Sequence, residues 1–137
     1  MRRESREKVF QTLFMMDALG VGPDEAIPLF ALTSPPPTDK EYYDATVQGV
    51  WDSREEIDAL IRRAAENWRL ERMTFVDRNI LRLGTYEICR SADVPFVVAI
   101  NEAVDLGKRY GSEESGSFIN GILDKISEIS LKKKGKK

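Results

Sequence analysis

The chain of 137 residues contains no histidine. That absence removes serine–histidine and cysteine–histidine catalysis and every histidine-ligated zinc site. Cysteine occurs once, as Cys89, so no internal disulfide can staple the fold and a reducing cytoplasm is expected. Long apolar runs are missing too: stretches such as residues 96–100 fall far short of the ~20 residues a membrane helix needs. No signal-peptide core is expected after the basic start, because Gln11 and Thr12 interrupt residues 9–16. Sustained alternation of apolar and polar residues is absent, which argues against strands. There is no glycine-rich phosphate loop, no cysteine–histidine metal spacing and no G-x-S-x-G. Acidic pairs such as Glu55-Glu56 and Glu113-Glu114 read as solvated charge. No catalytic residue, cofactor or metal is therefore expected; the job is binding.

What is present is a normal globular balance, 42% apolar and 32% charged, enough for one domain with a real core. The net charge of −2 hides an uneven distribution. Residues 1–8 carry four basic and two acidic side chains, and residues 132–137 carry five lysines. The body, residues 9–131, holds 12 basic against 21 acidic side chains. An acidic body with basic ends attracts nucleic acid only locally.

Apolar residues recur at helical spacing throughout. A first helix is expected over residues 3–19, with Val9, Phe10, Leu13 and Met16 inward, stopped at Gly20-Val21-Gly22. Pro23 opens a short second helix to about residue 32, its Asp24 and Glu25 placed as the helix dipole prefers. Pro35-Pro36-Pro37 is a link no helix crosses. Thr38 or Asp39 caps a third helix, expected to continue with a kink near residues 49–53 to about Trp68. Thr74 and Asp77 resemble a capping box, and the helix they open puts Ile80, Leu81, Gly84 and Ile88 on one face. Gly84 there allows a neighbouring helix to come close. Pro95 starts another helix, ended by Gly111. Ser112 is expected to cap the last, with Glu113 and Glu114 in its first turn and a stripe of Ile119, Ile122, Leu123, Ile126 and Ile129. The expected fold is all-α: a single domain of two packed helical bundles of about three helices each. Its halves span about 1–68 and 74–131, followed by a disordered basic tail, 132–137.

Two features stand out as candidate binding surfaces. Arg3, Arg6, Phe10 and Phe14 fall within one sector of the first helix, and arginine beside aromatic rings suits single-stranded RNA. Arg2 and Arg6 share the phase of Leu13, which implies that the first turns project past the bundle. Because the core stripe begins at Val9, removal of residues 1–8 is expected to leave the fold intact. In the last helix, Phe118 lies on the flank of the apolar stripe and Asn120 outside it, a pair suited to stacking on a base and reading its edge. The same residues also fit a bland reading, with the rings as core or boundary packing and the polar groups merely solvated. Cys89 falls opposite its helix's stripe and reads as a bystander.

Four strings carry a family resemblance. They are Arg2-Arg3-Glu-Ser-Arg6-Glu-Lys-Val-Phe-Gln11-Thr-Leu13-Phe14, Asp77-Arg-Asn-Ile-Leu81-Arg82-Leu-Gly84-Thr-Tyr86-Glu87, Asp93-Val-Pro95 leading to Ala99-Ile100-Asn101-Glu102-Ala103-Val104, and Phe118-Ile-Asn120-Gly121-Ile-Leu123-Asp124-Lys125. In order and spacing, from Arg2 to about Ile126, the chain resembles the NusB family of bacterial transcription antitermination factors. The resemblance implies two helical bundles and a protein that binds without catalysing. Its partners would be NusE, a small-subunit ribosomal protein, boxA-type single-stranded RNA of ribosomal RNA leaders, and the RNA polymerase elongation complex with other Nus factors. By position, Arg2, Arg3 and Arg6 match the family's arginine-rich start. Phe14 stands where many members have Tyr, and Phe118 with Asn120 match the F-[IV]-N-G motif at the RNA face. Asp77, Arg82 and Glu114 lie in regions that would meet NusE or RNA. Glu4 and Glu7 dilute the basic start, and Phe14 lacks the hydroxyl, so weak RNA affinity of the isolated protein is expected. Two other readings remain open at this point. One is the RNA-docking domain of a ribosomal-RNA cytosine methyltransferase, for which the chain to Lys137 leaves no room for a cofactor-binding domain. The other is a helical adaptor using protein contacts alone.

Overall fold

The computed structural model describes residues 2–91 and 93–135. Among them there are seven α-helices and no strand, and they divide into two compact units, residues 1–53 and 54–137. The division falls at Ser53, earlier than the region around residues 66–74 that periodicity suggests. Ser53 stops one helix at Asp52 and the next begins at Arg54, so the expected single kinked helix is two.

The first unit holds α1 (Arg2–Leu19), α2 (Pro23–Ala31) and α3 (Lys40–Asp52). α1 ends where Gly20 takes φ 69°, a left-handed conformation open to glycine, and both Gly20 and Val21 donate to the Met16 carbonyl. Pro23 begins α2 with Gly22 as its N-cap, and the Asp39 carboxylate caps α3 by accepting from Tyr42 N at 3.1 Å. Val9, Phe10, Leu13 and Met16 of α1 are buried with Ala26 of α2 and Tyr43, Val47 and Val50 of α3. A polar chain runs through this core: Thr12 Oγ1 donates to the Lys8 carbonyl and shares a 2.6 Å hydrogen bond with the Tyr43 hydroxyl.

The start of α1 does not project. Ser5 and Arg6 are buried and Lys8 nearly so. Glu4 Oε1 accepts from Thr38 N and Thr38 Oγ1, Ser5 Oγ accepts from Asp39 N, and Lys8 Nζ donates to the carbonyls of Pro35 and Pro36. The proline link carries carbonyls with no helical partner, and the first turns of α1 supply their donors. Glu4, Ser5 and Lys8 are therefore tied to the link before α3, whereas the sequence pattern places the structural core only from Val9 onward.

The second unit holds α4 (Arg54–Ala64), a 3₁₀ turn at Leu70–Arg72, α5 (Phe75–Arg90), α6 (Phe96–Tyr110) and α7 (Ser115–Gly135). α5, α6 and α7 pack on one another, and α4 lies against α5 and α7. Ile57 and Ile61 of α4 join Ile80, Leu81 and Ile88 of α5, Ala99 and Ala103 of α6, and Ile119, Leu123 and Ile126 of α7 in the core. A Cβ at Gly84 would stand 2.7 Å from Leu123 Cδ1 and 3.5 Å from Ala103 Cβ, so α5 meets α7 and α6 as closely there as the sequence suggests. Arg82 and Asp58 tie α5 to α4 through two hydrogen bonds of 2.8 and 3.0 Å.

α7 starts two residues later than expected, at Ser115 instead of Glu113. Ser112 N donates to Ser115 Oγ and Phe118 N to the Glu114 carbonyl, so Glu113 and Glu114 form a turn before the helix rather than its first turn. At its other end α7 continues through Gly135, and residues 132–135 of the expected disordered tail are helical. Residues 136 and 137 of that tail lie outside the described residues.

Candidate nucleic-acid interface

In the second unit, the segment between α4 and α5 is pinned by Leu70, which is buried. With Leu70 inward, the residues around it are turned out: Asn67, Trp68, Arg69 and Arg72 are all exposed. Trp68 N donates to the Ala65 carbonyl and Arg72 N to the Arg69 carbonyl, and Arg78 donates from α5 to the Leu70 carbonyl. Glu71 is held by Arg62 of α4 at 2.8 Å, and that hydrogen bond lowers its carboxyl pKa from the ordinary value.

This segment, the start of α5 and the start of α7 enclose a groove of about 960 Å³. Its lining includes Trp68, Arg69, Arg72, Asp77, Glu114 and Phe118. Three residues singled out in the sequence thus meet in one place: Asp77, Glu114 and Phe118. Phe118 is half-buried and lies nearly perpendicular to Trp68, ring centroids 5.5 Å apart and planes at 83°. Asn120 is exposed but outside the groove lining. Trp68 was not readable as a site residue, because periodicity makes it the end of a long helix.

Asp77 completes only half of the capping box. Its backbone N donates to Thr74 Oγ1 at 3.1 Å, while its own Oδ1 is buried with no hydrogen-bond partner among the described residues. Aspartate is one methylene shorter than the usual glutamate and does not reach back. Arg82, grouped with Asp77 in the sequence, is occupied inside the unit: besides Asp58 it donates to Asn79 Oδ1, and its side chain is 19% exposed. Cys89 is half-buried and lines a separate groove with Leu60 and Ile129, so it is not on an open face.

In the first unit the arginines have distinct settings. Arg3 is exposed, Arg2 is half-exposed, and Arg6 is buried. The guanidinium carbons of Arg2 and Arg6 lie 4.7 and 5.5 Å from the centroid of the Tyr42 ring, in cation–π contact, and Arg2 Nε is 3.7 Å from Asp39 Oδ2. Phe10 is buried and Phe14 half-buried, edge-on at 6.4 Å, so that pair is packing first. Among the described residues no group of three or more cysteine, aspartate and glutamate side chains could hold a metal, and no helix is long and apolar enough to cross a membrane.

All-helical among the described residues, with an aromatic and charged groove at one set of helix starts and arginines at another, the chain is an α-class protein. Residues 3–128 match the model of the NusB family. The transcription antitermination protein NusB of Desulfatibacillum aliphaticivorans is 47% identical over 126 residues, covering 91% of this chain and 88% of that protein. That of Sorangium cellulosum is 46% identical over 128 residues, 93% and 91%. Among solved structures, T. maritima NusB superposes with a TM-score of 0.83 at 39% identity, covering 93% of this chain and 91% of that one. A chain in the crystal structure of antitermination factors NusB and NusE in complex with dsRNA gives 0.83 at 28% identity, covering 93% and 96%. This chain belongs to the NusB family.

Proposed function

We propose that this protein is a transcription antitermination factor that binds boxA-type RNA of ribosomal RNA leader transcripts together with NusE. In that role it supports processive transcription by RNA polymerase with other Nus factors, in the cytoplasm and without catalysis. The observation that carries the reading is the likeness, over 93% of the chain, to a chain of the crystal structure of antitermination factors NusB and NusE in complex with dsRNA. The groove supports it locally. Phe118 offers a ring edge and face for a base, while the exposed Asn120 lies outside the groove lining. The exposed Glu114, with Asp77 beside it in the groove lining, supplies carboxylate charge suited to the donors of a basic partner such as NusE. In the first unit, Arg3 is the most exposed of the three arginines, with Arg2 second. Arg6 and Phe14 contribute chiefly by shaping the surface, and Arg82 by holding α5 to α4.

The test is a gel shift and titration with a boxA-type RNA, with and without NusE. A shifted complex that tightens when NusE is added is the expected result. Absence of RNA binding by the NusE-containing mixture would refute the reading. Charge reversal Asp77→Lys should weaken NusE association at low salt while helix content is kept.

A further inference from the structure

We propose that Trp68, with Phe118, Arg69 and Arg72, forms a nucleotide-stacking site for single-stranded RNA within the second unit. The inference rests on the RNA-binding function proposed above and names a residue and a contact beyond it. Trp68 is 61% exposed, although tryptophan normally keeps most of its large surface out of water. It is not loose: the buried Leu70 anchors the turn beside it, and Phe118 stands against it at 83°. Two perpendicular rings make a corner. A base laid flat on the exposed indole face meets the Phe118 ring at its side, so the corner both stacks and stops it.

The same turn supplies the charge that a nucleotide needs. Arg69 follows Trp68 directly, and Arg72 lies one 3₁₀ turn further on; both line the groove and are exposed. Neither guanidinium forms an ion pair or hydrogen bond with a described side chain, whereas Arg62, Arg82, Arg90 and Arg109 all do. Glu71, the carboxylate between them in sequence, is hydrogen-bonded to Arg62 and meets Arg69 only as a neighbouring charge. Open ring face and uncommitted guanidinium groups together are the recognition elements of single strands: stacking for the base, charge-assisted hydrogen bonds for the phosphate. The groove's carboxylates, Asp77 and Glu114, lie on the α5 and α7 side and accept from base amino groups or from a protein partner.

The probe is a boxA-type single-stranded oligoribonucleotide, with the full-length chain. In a Trp51→Phe variant Trp68 is the sole tryptophan, and its emission should be quenched as RNA saturates. Trp68→Ala should lower RNA affinity about 5- to 150-fold, the equivalent of ~1–3 kcal/mol for one stacked base. Trp68→Phe should restore most of that loss. The double variant Arg69→Gln/Arg72→Gln should flatten the log–log salt dependence by ~1.4, at ~0.7 per phosphate contact. RNA binding with unchanged Trp68 emission and wild-type affinity in Trp68→Ala overturns this site while leaving the proposed function standing. Loss of NusE affinity in Trp68→Ala, with RNA affinity and quenching intact, overturns it in favour of a protein surface. No RNA binding by the wild-type chain, with or without NusE, overturns both. Should Trp68→Ala lose helicity, the quenching measurement, which leaves Trp68 in place, still decides.

Discussion

Glu4 is the residue whose removal should reveal most about the first unit. Its Oε1 accepts from Thr38 N at 3.0 Å, Thr38 Oγ1 at 3.1 Å and Ser5 Oγ at 3.2 Å, and its Oε2 lies 3.0 Å from Lys8 Nζ. The backbone hydrogen bond from Thr38 is the main cause that pulls its pKa from 4.5 to about 2, with lesser help from Lys8 and the two hydroxyls and some opposition from burial. A folded pKa below the unfolded one means stability that is complete above pH 4.5 and is lost as pH falls toward 2. Taken in full, that displacement would be worth ~3.5 kcal/mol at ~1.4 kcal/mol per unit. With 36% of the side chain exposed, solvent screening reduces the expected effect to about 1–2 kcal/mol. Glu4→Gln should therefore destabilise the protein by that amount at pH 7, and the gap to wild type should close between pH 4.5 and 2. Urea unfolding at several pH values, followed by Trp51 emission in a Trp68→Phe background, reads the first unit. A gap of constant size from pH 7 to pH 3 would refute the reasoning.

Three further outcomes follow from the second unit. Gly84→Ala should destabilise by about 1–2 kcal/mol, because overpacking against Leu123 Cδ1 at 2.7 Å outweighs the ~1 kcal/mol gain in helix propensity; a raised midpoint in urea would contradict the close approach. Arg82→Met should cost about 2 kcal/mol, between exposed and fully buried ion pairs, by stranding a carboxylate 18% exposed. NusE and RNA affinities should stay unchanged in that variant, and a binding loss without a stability loss would return Arg82 to the interface. Phe118→Ala, removing a half-buried ring and its contact with Trp68, should cost about 1–2 kcal/mol of stability but ~1–3 kcal/mol of RNA affinity. Large destabilisation with retained affinity would make it a core residue.

Much of the helical order was legible because glycine and proline mark its joints: Gly20, Pro23, Pro95 and Gly111 stand at or beside the observed ends. The break at Ser53 was legible only as a kink near residues 49–53, since no strong breaker sits there and the apolar pattern runs on across it. The setting of Arg6 was misread for a different reason. Phase within one helix says which way a side chain leaves the axis, but not what covers it, and here a tyrosine ring from α3 accepts a guanidinium. α7 starts later because Ser112 N turns to Ser115 Oγ and the Ser115 N–H to the Ser112 carbonyl, which closes a turn over Glu113 and Glu114 before the helix begins. Asp77, Glu114 and Phe118 were picked singly from the chain, and their common groove is a tertiary fact. Trp68 needed that fact to be noticed at all.

The lysine that holds the proline link has a chemical consequence. Acylating reagents attack the free amine, and Lys8 Nζ is enclosed by the Pro35 and Pro36 carbonyls and the Glu4 carboxylate, with its side chain 11% exposed. Lys40, whose side chain is 69% exposed, has no such cover. Under mild reagent, Lys40 should label at once, and Lys8 only when α1 parts from residues 35–39. Its labelling rate then becomes a clock for local opening of the first unit, read residue by residue without unfolding the rest.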